Sequence, residues 1–156
     1  MKKLIAILLI SCTVFASCSK DEIPDCSPVN ITAPAAEVQA VQDYLTTAGI
    51  TATEDARGFF YTITAPGVGS KPTVCNAVTV NYTGKLTNGT TFDSANGVSF
   101  NLSQLIVGWQ EGIPLIAKGG SIILYLPPSL GYGSAAVGSI PANSILVFTI
   151  DLTETF

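Results

Sequence analysis

The chain has 156 residues, room for one domain with one core and short appendages, which excludes two large domains. Apolar residues make up 47% and charged residues 12%, against a usual charged share of about 25%, so disorder is excluded as the main state. A net charge of −4 cannot neutralise a run of phosphates, which removes nucleic acid as a partner, and the absence of histidine removes every catalytic or metal site that needs imidazole.

At the N-terminus Lys2 and Lys3 precede the apolar run 4–10, and Val14-Phe15-Ala16-Ser17-Cys18 follows, the order of a secretory signal. The apolar run is well short of the roughly 20 residues that span a bilayer, so no permanent transmembrane anchor is expected. Ala16-Ser17-Cys18 resembles the bacterial lipobox, in which the cysteine is lipidated and becomes the first residue of the mature protein. Phe15 stands where that pattern more often has leucine, and Ser11-Cys12 is a second, poorer match. The resemblance implies a signal peptide over 1–17, a lipid on Cys18 and a membrane held only through that lipid. The expected location is the cell envelope, as an outer-membrane lipoprotein facing the periplasm or the cell surface. Ser19-Lys20-Asp21-Glu22 resembles the acidic surface-display signal of some Bacteroidetes-type lipoproteins and reads equally well as a solvated linker. With Pro24, Pro28 and Pro34, residues 18–34 read as a semi-extended spacer. Once Cys12 is cleaved off and Cys18 lipidated, Cys26 and Cys75 are the remaining thiols, too few for a thiolate metal site. In an oxidising compartment a disulfide between them would pin the spacer to the domain, and the sequence leaves that pairing open.

Residues 35–56 read as a short helix and a connector. Val38, Val41, Tyr44 and Leu45 fall at helical spacing over 35–48, and Gly49 supplies the stop. Beyond Gly49 the composition turns to short Val, Ile, Thr and aromatic runs cut by Gly, Pro and Asn, the mark of antiparallel strands. Strands are expected at 58–65, 74–86, 90–94, 98–101, 121–126 and 144–153. Asn88-Gly89 is expected to join the second and third through a tight primed turn. Val78, Val80 and Tyr82 share one face, as do Leu146, Phe148, Ile150 and Leu152, so one side of the sheet is apolar and must be covered. The second helical candidate, 106–117, carries Trp109 and Ile113 four apart, is broken by Pro114, and can supply that cover. The expected fold is α+β: an antiparallel twisted sheet around one short central helix, with a short N-terminal helix.

Six aromatic residues lie on separate elements: Tyr82, Phe92, Phe100, Trp109, Tyr132 and Phe148. Together with the stretches Val80-Asn81-Tyr82-Thr83-Gly84-Lys85-Leu86, Gly89-Thr90-Thr91-Phe92-Asp93-Ser94, Gly108-Trp109-Gln110-Glu111-Gly112, Gly131-Tyr132-Gly133, Ile140-Pro141 and Leu146-Val147-Phe148, they make the chain from 57 to 156 resemble the FKBP-type peptidyl-prolyl cis-trans isomerases. One such tripeptide is a weak signal; all of them in this order are specific.

The resemblance implies that Trp109 is the floor of a prolyl pocket and that Tyr82, Phe92, Phe100 and Phe148 are its aromatic walls. It implies a Tyr132 hydroxyl that bonds the bound peptide, a buried Asp93 beside Tyr82, and an Ile106 N–H that faces the ligand. Leu105 and Ile140 would stand at the rim, and Phe59 and Phe60, outside these motifs, would simply pack the core. The activity implied is rotation of X-Pro bonds in unfolded or partly folded polypeptides, with no cofactor and no metal, by a monomer that macrolide inhibitors of the family could also occupy. A non-catalytic peptide-binding module or chaperone using the same pocket is the alternative. Departures from the pattern surround the pocket: a short 92–100 loop without a basic residue, Leu130 where an aromatic is frequent, and Ser139 before Ile140. They bear on substrate preference and inhibitor affinity. The Gly- and Ser-rich segment 127–143 resembles the family's substrate-covering loop.

Overall fold

The computed structural model describes residues 26, 27 and 29–156. The expected signal peptide, Cys18 and about half of the expected spacer lie outside the described residues. Helix α1 covers Ala35–Ala48 and stops where Gly49 turns left-handed (φ 66°). Strands β1 (Thr53–Glu54), β2 (Phe60–Ala65), β3 (Ala77–Leu86) and β4 (Thr91–Asn101) precede helix α2 (Val107–Gly112), and β5 (Ser121–Leu126) and β6 (Leu146–Thr155) follow it. Among the described residues every pair of neighbouring strands is antiparallel, in the order β1-β2-β5-β6-β3-β4.

Val78, Val80, Leu146, Phe148, Ile150 and Leu152 are all buried in one cluster with Trp109 and Ile113, so α2 does cover the apolar face. Fully burying each such side chain contributes about 1.5–3 kcal/mol. How α2 lies so close to β5 is explained by two glycines: a Cβ on Gly108 would come within 2.5 Å of Leu126, and one on Gly112 within 2.6 Å of Leu124. Trp109, between them, is thereby carried on a helix pressed against the sheet.

The opposite face is also apolar where β2, β5 and β6 run together. Val41 and Leu45 of α1 pack there on Phe60 and Tyr125, so the sheet is covered on both sides. Phe59 and Phe60 are both buried, on opposite faces of the sheet.

Three expectations need correction. The strands expected at 90–94 and 98–101 are one strand, β4: the register passes from Val80↔Val98 to Tyr82↔Ala95, so Asn96 and Gly97 face the single residue Asn81. Asn81 Oδ1 accepts from the Gly97 N–H at 2.8 Å, which makes the expected break a β-bulge. Asn88-Gly89 does join β3 to β4, but only Gly89 takes a positive φ (87°), and the Asn88 side chain accepts from the Thr90 N–H at 2.9 Å, so the turn is not a primed pair. Finally, α2 ends at Gly112 and continues only as a 3-10 turn, Ile113–Leu115, because Pro114 supplies no N–H.

Cys26 and Cys75 are joined by a disulfide, with Cα atoms 5.0 Å apart. It fixes the start of the described chain just ahead of β3. A clamp at the other end of the connector is electrostatic: Arg57 bonds Asp55 at 2.7 Å, pairs with Glu111 of α2, and lies over the Phe59 ring at 5.7 Å. Burial acts to raise the Asp55 carboxyl, but hydrogen bonds and charge from Arg57 outweigh it and hold its pKa below the usual value.

Candidate active site

Trp109 sits in a box of perpendicular rings. Its centroid is 5.1 Å from Tyr82, 6.1 Å from Phe100 and 5.2 Å from Phe148, with interplanar angles of 82°, 86° and 88°. Edge-to-face pairs set each ring's orientation through its quadrupole, so the box is geometrically defined. Each wall comes from a different strand: Tyr82 from β3, Phe100 from β4, Phe148 from β6. Gly84 makes the last of these fit, since a Cβ there would stand 2.6 Å from the Phe92 ring and 2.8 Å from Phe148.

Above Trp109 lies a cavity of about 160 Å³ lined by these four rings and by Asp93, Leu105, Ile106 and Tyr132. Such a volume is below the roughly 300–1,000 Å³ of sites that bury a drug-sized ligand, and suits one small ring of a longer chain. Phe92 and Ile140 do not line it. Phe92 meets Phe148 edge-on at 5.5 Å, so it touches the cavity only through that ring. Ile140, 6% exposed, is drawn into the core because Val137 and Ile140 bond each other's backbones at 3.0 and 2.9 Å, closing the loop tip as a small bridge.

Three polar side chains overlook the cavity: Tyr82, Asp93 and Tyr132. The Tyr82 hydroxyl donates to Asp93 Oδ2 at 2.6 Å. Asp93 itself is exposed, which corrects the buried acid that the resemblance implied: its side chain stands at the cavity mouth on an edge strand. Burial, the bond to Asp93 and its charge push the Tyr82 pKa up to about 12. Burial, with the Asp93 charge, also raises Tyr132. Because the folded-state pKa of Tyr82 exceeds the ordinary tyrosine value of 10.0, its contribution to stability is complete below pH 10 and is lost as pH rises toward about 12. The stability difference between the parent and Tyr82→Phe should therefore shrink from pH 10 to 12 in denaturant titrations; a constant difference would contradict the assignment.

The cavity mouth is held by a residue that the motifs did not single out. Gln110 is 5% exposed, and its amide donates to the Leu105 carbonyl at 2.7 Å and the Ser103 carbonyl at 3.2 Å. It fastens the loop carrying Leu105 and Ile106 to α2. The only available signal was a polar residue in a run of otherwise buried positions. Ile106 is the N-cap of α2, and its N–H finds no acceptor among the described residues. The Trp109 Nε1 is likewise buried without a partner among them. No cluster of three metal-ligating side chains occurs among the described residues.

The family model for FKBP-type peptidyl-prolyl cis-trans isomerases matches residues 69–153. The chain is 43% identical over 108 residues to FkpA of Aeromonas hydrophila, covering 67% of this chain and 40% of that protein. Against FkpA of Escherichia coli K12 it is 43% identical over 101 residues, covering 62% and 37%. It thus spans about two fifths of the length of these relatives. Among solved structures, FkpA from Escherichia coli superposes with a TM-score of 0.70 at 37% identity, over 78% of this chain and 60% of that one. A peptidyl-prolyl cis-trans isomerase from Pseudomonas syringae superposes at 0.68 and 29% identity, over 81% and 98%.

Proposed function

The chain belongs to the FKBP-type peptidyl-prolyl cis-trans isomerases, and from that premise we propose that it accelerates rotation about X-Pro bonds in unfolded or partly folded polypeptides, with the cavity over Trp109 as its prolyl site. The observation that carries this reading is the ring box itself, an apolar cavity sized for one small ring, with Ile106 and Tyr132 among the residues at its border.

Rotation about a peptide bond faces a barrier of roughly 18–20 kcal/mol because the C–N bond has partial double-bond character. In the twisted state resonance is lost and the carbonyl becomes less polar, so an apolar enclosure suits that state better than water does. Trp109 and Phe148 supply the enclosure. The Ile106 N–H and the Tyr132 hydroxyl hold the peptide on either side of the ring, which fixes the orientation in which the twist occurs. Asp93 positions Tyr82 by accepting the hydrogen bond that its hydroxyl donates, and no nucleophile or proton shuttle is required. A coupled isomerisation assay with a short proline peptide tests this directly. Turnover that is flat from pH 6 to 8 is expected, and no turnover by the folded protein would overturn it.

The finer reading is a monomer tethered to the cell envelope by a lipid on Cys18, on the outer membrane, facing the periplasm or the cell surface. Its support is the order Lys2-Lys3, apolar run, Ala16-Ser17-Cys18. Lipid chains contribute about 0.8 kcal/mol per buried CH₂, so several on one cysteine hold the protein firmly. Cys18→Ala should release the protein from the membrane fraction or stall its processing, and unchanged retention would remove the anchor. A macrolide inhibitor would fill the cavity with one ring only, leaving the rest against the mouth.

A further inference from the structure

Helix α1 lies outside the matched stretch 69–153, yet it reaches the loop that carries Tyr132. Glu37, in the first turn of α1, accepts a hydrogen bond from the backbone N–H of Ser129 at 2.8 Å, across 92 residues of sequence. Ser129 belongs to a 3-10 turn, Pro128–Leu130, that opens the substrate-covering loop. The first N–H groups of any helical turn have no partner inside it. Here Pro128 has no N–H and Leu130 bonds back to the Pro127 carbonyl at 3.1 Å, which leaves Ser129 as the orphan donor. The Glu37 carboxylate satisfies it with a charge-assisted bond, the stronger kind. The Ser129 hydroxyl is buried with no partner among the described residues, so it does not share the task.

From that turn the connection to the cavity is short. The Pro128 carbonyl accepts from the Gly131 N–H at 2.9 Å and the Gly133 N–H at 2.8 Å, one on each side of Tyr132. Leu130, 1% exposed, anchors the same turn in the core. Docking of α1 does not depend on Glu37, since Val41 and Leu45 bury the helix against Phe60 and Tyr125.

We propose that Glu37 is a positioning residue for the substrate loop: by capping the turn at Ser129 it sets where the Tyr132 hydroxyl stands over the cavity, and so couples the N-terminal helix to peptide binding. This rests on the prolyl-site reading above. The test uses the mature chain with Glu37→Ala, Glu37→Gln, Tyr132→Phe and Glu37→Ala/Tyr132→Phe, measuring isomerase kinetics and amide hydrogen exchange. Glu37→Ala should lower kcat/KM by roughly three- to tenfold, chiefly through KM, the scale of losing one hydrogen bond's worth of positioning. Glu37→Gln keeps an acceptor oxygen at the same reach and should restore the parent rate to within about twofold. In the Tyr132→Phe background Glu37→Ala should cost nothing further, a non-additivity that mere loosening of the fold would not produce. Exchange at Gly131 and Gly133 should quicken in Glu37→Ala and not in Glu37→Gln. Parent-like rates and exchange in Glu37→Ala, or a fully additive double variant, would overturn the proposal. If the parent has no turnover, the prolyl-site reading fails, and the exchange data alone decide whether Glu37 fixes the loop.

Discussion

Phe148→Ala should lower kcat/KM on a short proline peptide by about tenfold or more, the equivalent of losing at least 1.36 kcal/mol of transition-state stabilisation. Phe148 is 3% exposed and touches both Trp109 and Phe92 edge-on, so truncation removes a cavity wall and unsupports the rings on either side. The loss should be graded and incomplete, because no bond-making group disappears. Truncating a buried phenylalanine also costs about 3–5 kcal/mol of stability, so the assay belongs at a temperature where circular dichroism finds the variant folded. Phe92→Ala should act by the same route and less directly, since Phe92 reaches the cavity only through Phe148. A folded Phe148→Ala variant with parent turnover would rule out this cavity as the catalytic one.

Gly84→Ala should be as damaging while removing no atom. The added methyl would stand 2.6 Å from Phe92 and 2.8 Å from Phe148, inside contact distance of two rings that have no flexible end to swing away. Overpacking of this kind costs about 1–3 kcal/mol. The displaced Phe148 must shift against Trp109, so kcat/KM should again fall by about tenfold. Combining it with Phe92→Leu, which shortens one of the two obstructing side chains, should recover part of both the melting temperature and the rate. Recovery of stability without any recovery of rate would separate ring packing from catalysis and contradict the mechanism.

How much of this was legible in the sequence depended on how local the cause was. Helix α1 was legible to the residue, because spacing and a glycine stop are properties of neighbours in the chain. The break expected between 94 and 98 was wrong: Asn96 and Gly97, which lie in that gap, suit a turn or a bulge equally, and only pairing with β3 decides which. Strand β1, two residues long, has no period to read. At the site, the family resemblance named all the residues that meet at the cavity, yet a match of motifs carries a residue's place along the chain and not how deep it lies. Phe92 and Ile140 were therefore placed on the pocket surface when one stands behind Phe148 contact and the other is drawn into the core. Asp93 was expected buried and is exposed for the same reason. Gln110 left only the weak signal of a polar residue in a buried run, and the Glu37–Ser129 bond left none, since it depends on a backbone atom 92 residues away arriving at a side chain.

The position of β6 has a consequence for how such a chain matures. The strand nearest the C-terminus is not at an edge; it fills the gap between β5 and β3. A polypeptide delivered N-terminus first, from a ribosome or a secretion channel, can close the β3–β4 hairpin early. The seam has to wait for residues 146–155, and until then Val78, Val80, Ile122 and Leu124 lie on open sheet faces with unpaired backbone beside them. Long-range strand pairing of this kind is slow and leaves the partly made sheet prone to aggregation. Phe148 arrives with β6, so the ring box is completed only once that last seam is paired.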